Sequence, residues 1–224
     1  DIFALSPFIR LFLQLGISSI LWFLGFQINY IDLTIIGNNN IIEIPILISF
    51  LISTLWMTGV TNAFNWIDGL DGLASSISII ASFSLMLICF SINNIEIGLI
   101  FASILGSNVG FLKDNKYPAK LMMGDGGSYF NGFSYAIYSL IVICKTQSSI
   151  NCLSILIPFL IILIPLADMT LVITGRFWKG ISIFNPDRSH LHHRLLQNGY
   201  SHKNTVKIIT CFQIFICILV LSII

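Results

Sequence analysis

The chain has 224 residues, of which 56% are hydrophobic and only 9% charged, and its formal net charge is +1. An average soluble domain carries about 25% charged residues, so this composition excludes water as the main solvent. Seven mostly apolar stretches, at residues 11 to 28, 44 to 61, 72 to 92, 95 to 112, 128 to 145, 152 to 174 and 205 to 224, leave no room for a separate soluble domain.

Each stretch is near the roughly 20 residues that a bilayer-spanning helix needs. A closed barrel would instead alternate apolar and polar residues along short segments. Runs such as 153 to 166 are apolar on every side, so the expected fold is all-α, a single polytopic transmembrane helical bundle over 1-224. Threading seven helices alternately through the membrane places ten of the eleven Lys and Arg on one side and leaves Lys145 alone on the other. By the positive-inside rule the rich side faces the cytoplasm.

In chain order, the sequence opens on Asp1 rather than Met, directly before a loop, and reads as the remainder of a longer protein with no signal peptide visible. After the first span, residues 29 to 43 carry Gly37-Asn38-Asn39-Asn40 between β-branched runs, which predicts a small hairpin at the outer surface. The second span ends in Asn62-Ala63-Phe64-Asn65-Trp66-Ile67-Asp68-Gly69-Leu70-Asp71-Gly72. Asn and Asp recur there every third residue, which on a helix puts them on adjacent parts of one surface. Gly69 and Gly72 permit a turn or a close approach to a ligand. Four such residues in a row form a better pocket wall than a helix cap, which needs only one.

The loop after the fourth span holds Asn115 and then Met123-Gly124-Asp125-Gly126-Gly127-Ser128. A carboxylate among glycines suits a hard divalent cation that keeps phosphate and water as its other ligands. Gly and Asp are also ordinary turn residues, and the position beside the other polar clusters favours the site. Asp168 lies at the inner end of a long apolar span, where a charge is costly; a pair with nearby Arg176 is the expected explanation. The last inner loop carries Pro186-Asp187-Arg188-Ser189-His190-Leu191-His192-His193-Arg194, a set of donors for phosphate oxygens. Zinc is the rival ligand, but His202 is remote in the loop and no Cys accompanies the trio. The five cysteines form no Cys-x-x-Cys pair, and a disulfide between Cys144 and Cys152 is not the expected state.

Together these motifs resemble the polyprenyl-phosphate N-acetylhexosamine-1-phosphate transferase superfamily of glycosyl transferase family 4. The stretch from Asn62 to Gly72 is similar to the family's Asn-Ala-x-Asn-x-x-Asp-Gly-x-Asp-Gly signature, and the stretch from Met123 to Ser128 to its Met-Gly-Asp-x-Gly-Ser motif. His190-Leu191-His192-His193-Arg194-Leu195 resembles the form of the N-acetylglucosamine-1-phosphate branch rather than that of the muramoyl-pentapeptide branch. Family members carry an Asp-Asp pair in the first of these loops, and Asp1 looks like its second member. Met122 stands where relatives often place an aromatic residue near the nucleotide base.

The resemblance implies attack by a membrane polyprenyl phosphate on the β-phosphorus of a UDP-N-acetylhexosamine, with release of UMP. It implies Asp1, Asp68, Asp71 and Asp125 as catalytic residues, and magnesium, with manganese as its alternative, on Asp125 and Asp1. Asn62, Asn65, Asn115, Arg188, His190, His192, His193 and Arg194 are the implied substrate-binding residues. The implied setting is a bacterial plasma membrane, with a homodimer expected and no nucleic-acid partner. Two readings stand against this one. A transporter would place its polar residues near the bilayer midplane, and a non-catalytic relative would keep the fold without the activity.

Overall fold

Helix starts in this chain follow local capping chemistry, and the first helix shows it. The Ser6 hydroxyl accepts a hydrogen bond from Ile9 N at 3.3 Å and Pro7 occupies the first turn, so α1 runs over Pro7–Phe23. It therefore begins and ends earlier than the predicted stretch from 11 to 28, and Gly25, at φ +101°, closes it. The computed structural model describes residues 5–32, 41–145, 153–182, 184 and 189–223.

Beyond α1, the strands β1 (Tyr30–Asp32) and β2 (Ile41–Glu43) pair antiparallel with Tyr30 opposite Glu43, so a hairpin is present within 29 to 43, while Ile35-Ile36 and the predicted turn at Gly37 to Asn40 lie outside the described residues. The helices α2 (Ile46–Ile67), α3 (Leu73–Ser91), α4 (Ile95–Asn115), α5 (Gly124–Lys145), α6 (Leu153–Ile161), α7 (Leu163–Trp178), α8 (Leu191–Gln197) and α9 (His202–Leu221) follow. Among the described residues, α2, α3, α4 and α9 are long and apolar enough to cross a membrane. The chain is a multi-pass membrane bundle, but seven uniform spans is not what its helices form. α1 has only 17 residues, α5 is long but carries buried Ser128, Asn131, Ser134 and Ser139, and the predicted stretch from 152 to 174 is two helices.

That break has a specific cause. Pro165 has no N–H to give to the carbonyl of Ile161, four residues earlier, and its ring crowds that carbonyl. The helix breaks at Ile162, and the orphaned Ile161 oxygen accepts a hydrogen bond from Gln213 Nε2 of α9 at 2.5 Å.

The interior is built around aromatic side chains. Phe64 of α2, Phe101 of α4 and Tyr135 of α5 are buried together, and the Phe64 and Tyr135 rings lie 4.7 Å apart. Tyr135 Oη donates to the Ser78 carbonyl at 2.8 Å, so the 2.7 Å contact with Ser82 has Ser82 Oγ as donor. Such interhelical hydrogen bonds recur where lipid offers no partner for a polar group: Trp22 Nε1 donates to Ser49 at 3.2 Å, and the Asn108 and Asn131 amides bond each other at 3.1 and 3.0 Å. Outward side chains such as Phe12, Leu55, Phe212 and Ile218 are exposed, which suits a surface solvated by acyl chains.

Candidate active site

Threaded alternately, the bundle brings the starts of α1, α3, α5 and α9 to one end with the ends of α2, α4 and α7. Gly132 fixes the closest of these approaches. A Cβ there would lie 2.8 Å from Thr61 Cα and 3.0 Å from the Thr61 oxygen, so α5 meets the backbone of α2 only because the side chain is absent. That contact sets the last turn of α2 against the first turn of α5.

Asp125 stands at the centre of the resulting cluster, in the first turn of α5, where the helix dipole favours a carboxylate. Its Oδ1 accepts from Asn65 Nδ2 at 2.9 Å, and its Oδ2 pairs with Arg10 Nη1 from α1. Asn65 also donates to Ser128 Oγ at 3.0 Å, and Ser128 donates to the Gly124 carbonyl at 2.8 Å, which fixes the turn. Asp68 sits beside this pair, with the Gly124 N–H near its carboxylate. Burial raises its carboxyl to about 6, the Gly124 N–H opposes the shift, and the neighbouring Asp125 charge adds to it.

In the sequence Arg10 is one of the ten Lys and Arg of the inner side, and in the structure it is the cation that meets Asp125. Its place in the first turn of α1, among Phe8, Ile9, Leu11 and Phe12, was the available signal: an isolated guanidinium in an apolar helix turn needs a partner. Next to this cluster an apolar cavity of about 330 Å³ opens between α1, α2 and α5, lined by Ile17, Thr61, Gly126, Tyr129, Phe130 and Phe133 among others. Asn62 lies one turn farther from the cluster, its Nδ2 donating to Gln14 Oε1 of α1 at 2.6 Å and to the Thr58 carbonyl at 2.8 Å.

Two expectations are revised here. Asn115 is a strut rather than a pocket wall. At 2% exposure, its Oδ1 accepts from Gly72 N and Ser75 Oγ and one N–H of its Nδ2 donates to the Leu121 carbonyl, so both ends of the amide are held by the protein. Asp168 does not pair with Arg176 as expected. Its Oδ2 accepts from His190 Nδ1 at 2.9 Å and its Oδ1 from Leu191 N at 2.6 Å, while Arg176 lies 5.2 Å from the centre of the Trp66 ring.

The three histidines have different settings. His190 stands edge-on to Trp66 at 5.5 Å and stacks on His192 at 5.5 Å. His192 is only 1% exposed, and neither ring nitrogen has a hydrogen-bond partner among the described residues. Its ring lies against Gly69, where a Cβ would come within 2.3 Å of Nε2. Burial and then the neighbouring His193 lower its pKa to about 4, so it is a neutral packing element. His193 lies 4.3 Å from the His192 ring and is half-buried, and Arg194 is exposed with its Nε donating to the Ser189 carbonyl at 2.7 Å.

Asp71 and His202 form the far edge. Asp71 Oδ2 accepts from Ala119 N at 3.0 Å, and Asp71 N donates to His202 Nε2 at 3.2 Å. His202, remote in sequence, stacks on Tyr117 at 4.4 Å and so ties α9 to the loop between α4 and α5. Met122 is 75% exposed in that loop. Asp1 and Arg188, with Asn185 to Asp187, lie outside the described residues, as do the side chains of Cys144 and Cys152.

Among the described residues no three His, Cys, Asp or Glu side chains are grouped to hold a metal ion. The neighbouring carboxylates of Asp68 and Asp125 nevertheless offer hard oxygens to a cation that takes its other ligands from phosphate and water, which is how magnesium is held.

The sequence profile described as Glycosyl transferase family 4 matches residues 1–143. A probable undecaprenyl-phosphate N-acetylglucosaminyl 1-phosphate transferase of Bacillus subtilis (strain 168) is 34% identical over 209 residues, covering 93% of this chain and 57% of its own length. A decaprenyl-phosphate N-acetylglucosaminephosphotransferase of Mycobacterium leprae (strain TN) is 33% identical over 177 residues, 72% of this chain and 44% of that protein. A phospho-N-acetylmuramoyl-pentapeptide-transferase of Clostridium beijerinckii (strain ATCC 51743 / NCIMB 8052) is 31% identical over 182 residues, with shares of 81% and 51%. The chain spans about half the length of the curated relatives it matches.

Proposed function

The chain belongs to glycosyl transferase family 4, and we propose that it carries the active face of an enzyme that moves N-acetylglucosamine 1-phosphate from its UDP derivative onto undecaprenyl phosphate. The observation that carries this reading is the convergence of Arg10, Asn65, Asp68 and Asp125 beside an apolar cavity at one end of the bundle. A charged headgroup and the first part of its hydrocarbon chain have adjacent places there. The names of the Bacillus and Mycobacterium relatives support the sugar and the lipid class.

In the reaction an oxygen of the lipid phosphate attacks the β-phosphorus of the UDP-sugar. The new P–O bond forms as the bond from that phosphorus to the bridging oxygen breaks, and the electron pair leaves with UMP. Phosphoryl transfer of this kind asks a protein mainly for positioning and charge neutralisation. Asn65 holds one oxygen of Asp125 and so sets the rotamer of that carboxylate. Arg10 neutralises Asp125 without a ligand and, with its planar fork of donors, is placed to turn to a phosphate oxygen. A divalent cation, magnesium or in its place manganese, would be held by Asp125 with Asp68, and with Asp1 as the family resemblance implies, and would supply charge neutralisation on the diphosphate. His193, Arg194 and Arg188 offer donors to phosphate oxygens, His190 offers a ring nitrogen, and Asp71 and Asn62 line the nucleotide-sugar side. The site faces the cytoplasm of a bacterial plasma membrane, a reading supported by the ten Lys and Arg on that side.

The test is transfer of radiolabel from UDP-N-acetylglucosamine to undecaprenyl phosphate by the full-length protein, with and without magnesium, beside Asp125→Asn. Magnesium-dependent glycolipid and UMP, both lost in the variant, are expected. Product only from UDP-muramoyl-pentapeptide would move the protein to the other branch, and no product from any UDP-sugar would remove the enzymatic reading.

A further inference from the structure

Asp168 is a carboxylate at 4% exposure on a helix of a membrane bundle, where an ionised group is kept only if its charge is used. Both of its oxygens are engaged by the histidine loop. Oδ1 accepts from Leu191 N at 2.6 Å, the first N–H of α8, which no side chain at the His190 cap position satisfies. Oδ2 accepts from His190 Nδ1 at 2.9 Å. We propose that Asp168 is a positioning residue that fixes the tautomer and ring plane of His190, making His190 Nε2 the histidine-loop acceptor for a hydrogen bond from a protonated phosphate oxygen of the lipid substrate.

The chemistry of the contact decides the tautomer. An ionised carboxylate only accepts hydrogen bonds, so the proton of a neutral His190 ring sits on Nδ1 and Nε2 is the free acceptor. Rotation of the ring is opposed on two further sides, by the edge-on Trp66 and the stacked His192. Trp66 is itself backed by Arg176, 5.2 Å from its ring centre. The three histidines therefore divide their work. His192 is sealed against Gly69, while His190 is oriented by a carboxylate from a different helix. Asp168 sits in the second turn of α7, just after the break at Ile162.

The rate readout of the test rests on the transferase reading, whereas the spectroscopic readout does not. Histidine side chains of the full-length enzyme, labelled with 15N, are observed by NMR in detergent, with the His190 signals identified by their absence in His190→Gln. The wild-type spectrum is expected to show an Nδ1–H ring at His190; an Nε2–H ring there overturns the proposal whatever any variant does. In Asp168→Asn, which keeps the size and loses the charge, the amide N–H₂ faces His190 and the tautomer is expected to switch. The kcat is then expected to fall ~10- to 100-fold, the range for carboxylates that orient functional histidines, with KM changed less than about twofold. Asp168→Asn combined with His190→Gln is expected to be no slower than His190→Gln alone, and multiplying losses would overturn the proposal. A wild-type spectrum as expected in a protein inert toward every UDP-N-acetylhexosamine would support the Asp168–His190 arrangement and reject the transferase reading.

Discussion

Replacing Gln213 by Leu tests the account of the broken helix. Gln213 Nε2 is the donor that takes up the Ile161 carbonyl released by Pro165. A buried carbonyl left without a partner costs about 1–3 kcal/mol. Part of that is offset, because Gln213 Oε1 is itself buried without a partner among the described residues and its removal relieves a desolvated acceptor. The expected net loss for Gln213→Leu is therefore ~1–2 kcal/mol, measured as the unfolding free energy of the full-length protein in mixed micelles. Pro165→Ala restores an N–H four residues after Ile161 and lets the helix bond close. In that background the same Gln213→Leu change is expected to cost less than about 0.5 kcal/mol, because the carbonyl no longer depends on α9. Equal penalties in the two backgrounds would refute the reasoning, since they would mean that Gln213 stabilises the bundle by something other than the proline-released carbonyl.

Gly69→Ala places a Cβ within 2.3 Å of His192 Nε2 and 2.6 Å of Cε1, on a ring that is 1% exposed and has no free space to swing into. A loss of ~1–3 kcal/mol is expected, relieved in the double variant with His192→Ala; an unchanged melting temperature for Gly69→Ala alone would show that the ring is not held there. His192 also predicts a pH dependence of stability. Its folded pKa of about 4 lies below the ordinary 6.5, so between these values the unfolded chain binds more protons than the folded one. The contribution is fully present above pH 6.5 and is lost as pH falls toward 4, up to ~3 kcal/mol at about 1.4 kcal/mol per unit. Thermal unfolding at pH 7.5 and 5.0 is expected to show a smaller shift in His192→Gln than in the native protein, and identical shifts would exclude His192 as a source.

Much of the molecule follows from local rules acting on the sequence. The apolar lengths of α2, α3, α4 and α9 specify helices whatever surrounds them, and Ser6 with Pro7 starts α1 by capping chemistry alone. The period of three from Asn62 to Asp71 placed Asn65 and Asp68 on the face that meets Asp125, because helical spacing is a property of the backbone. The roles of the individual polar side chains followed from no local rule. Asn115 and Asp168 carry the same kinds of groups as Asn65 and Asp125, yet Asn115 is held inside the loop and Asp168 reaches a histidine 22 residues away. Arg10 meets a partner 115 residues distant, and that meeting requires Gly132 to let α5 lie on the backbone of α2. The sequence by itself determined the solvent, the helix class and which end of the bundle is polar, since composition and periodicity act locally. Only the tertiary structure decided which carboxylate faces a ligand and which faces the protein, since that depends on close approaches between helices far apart in the chain.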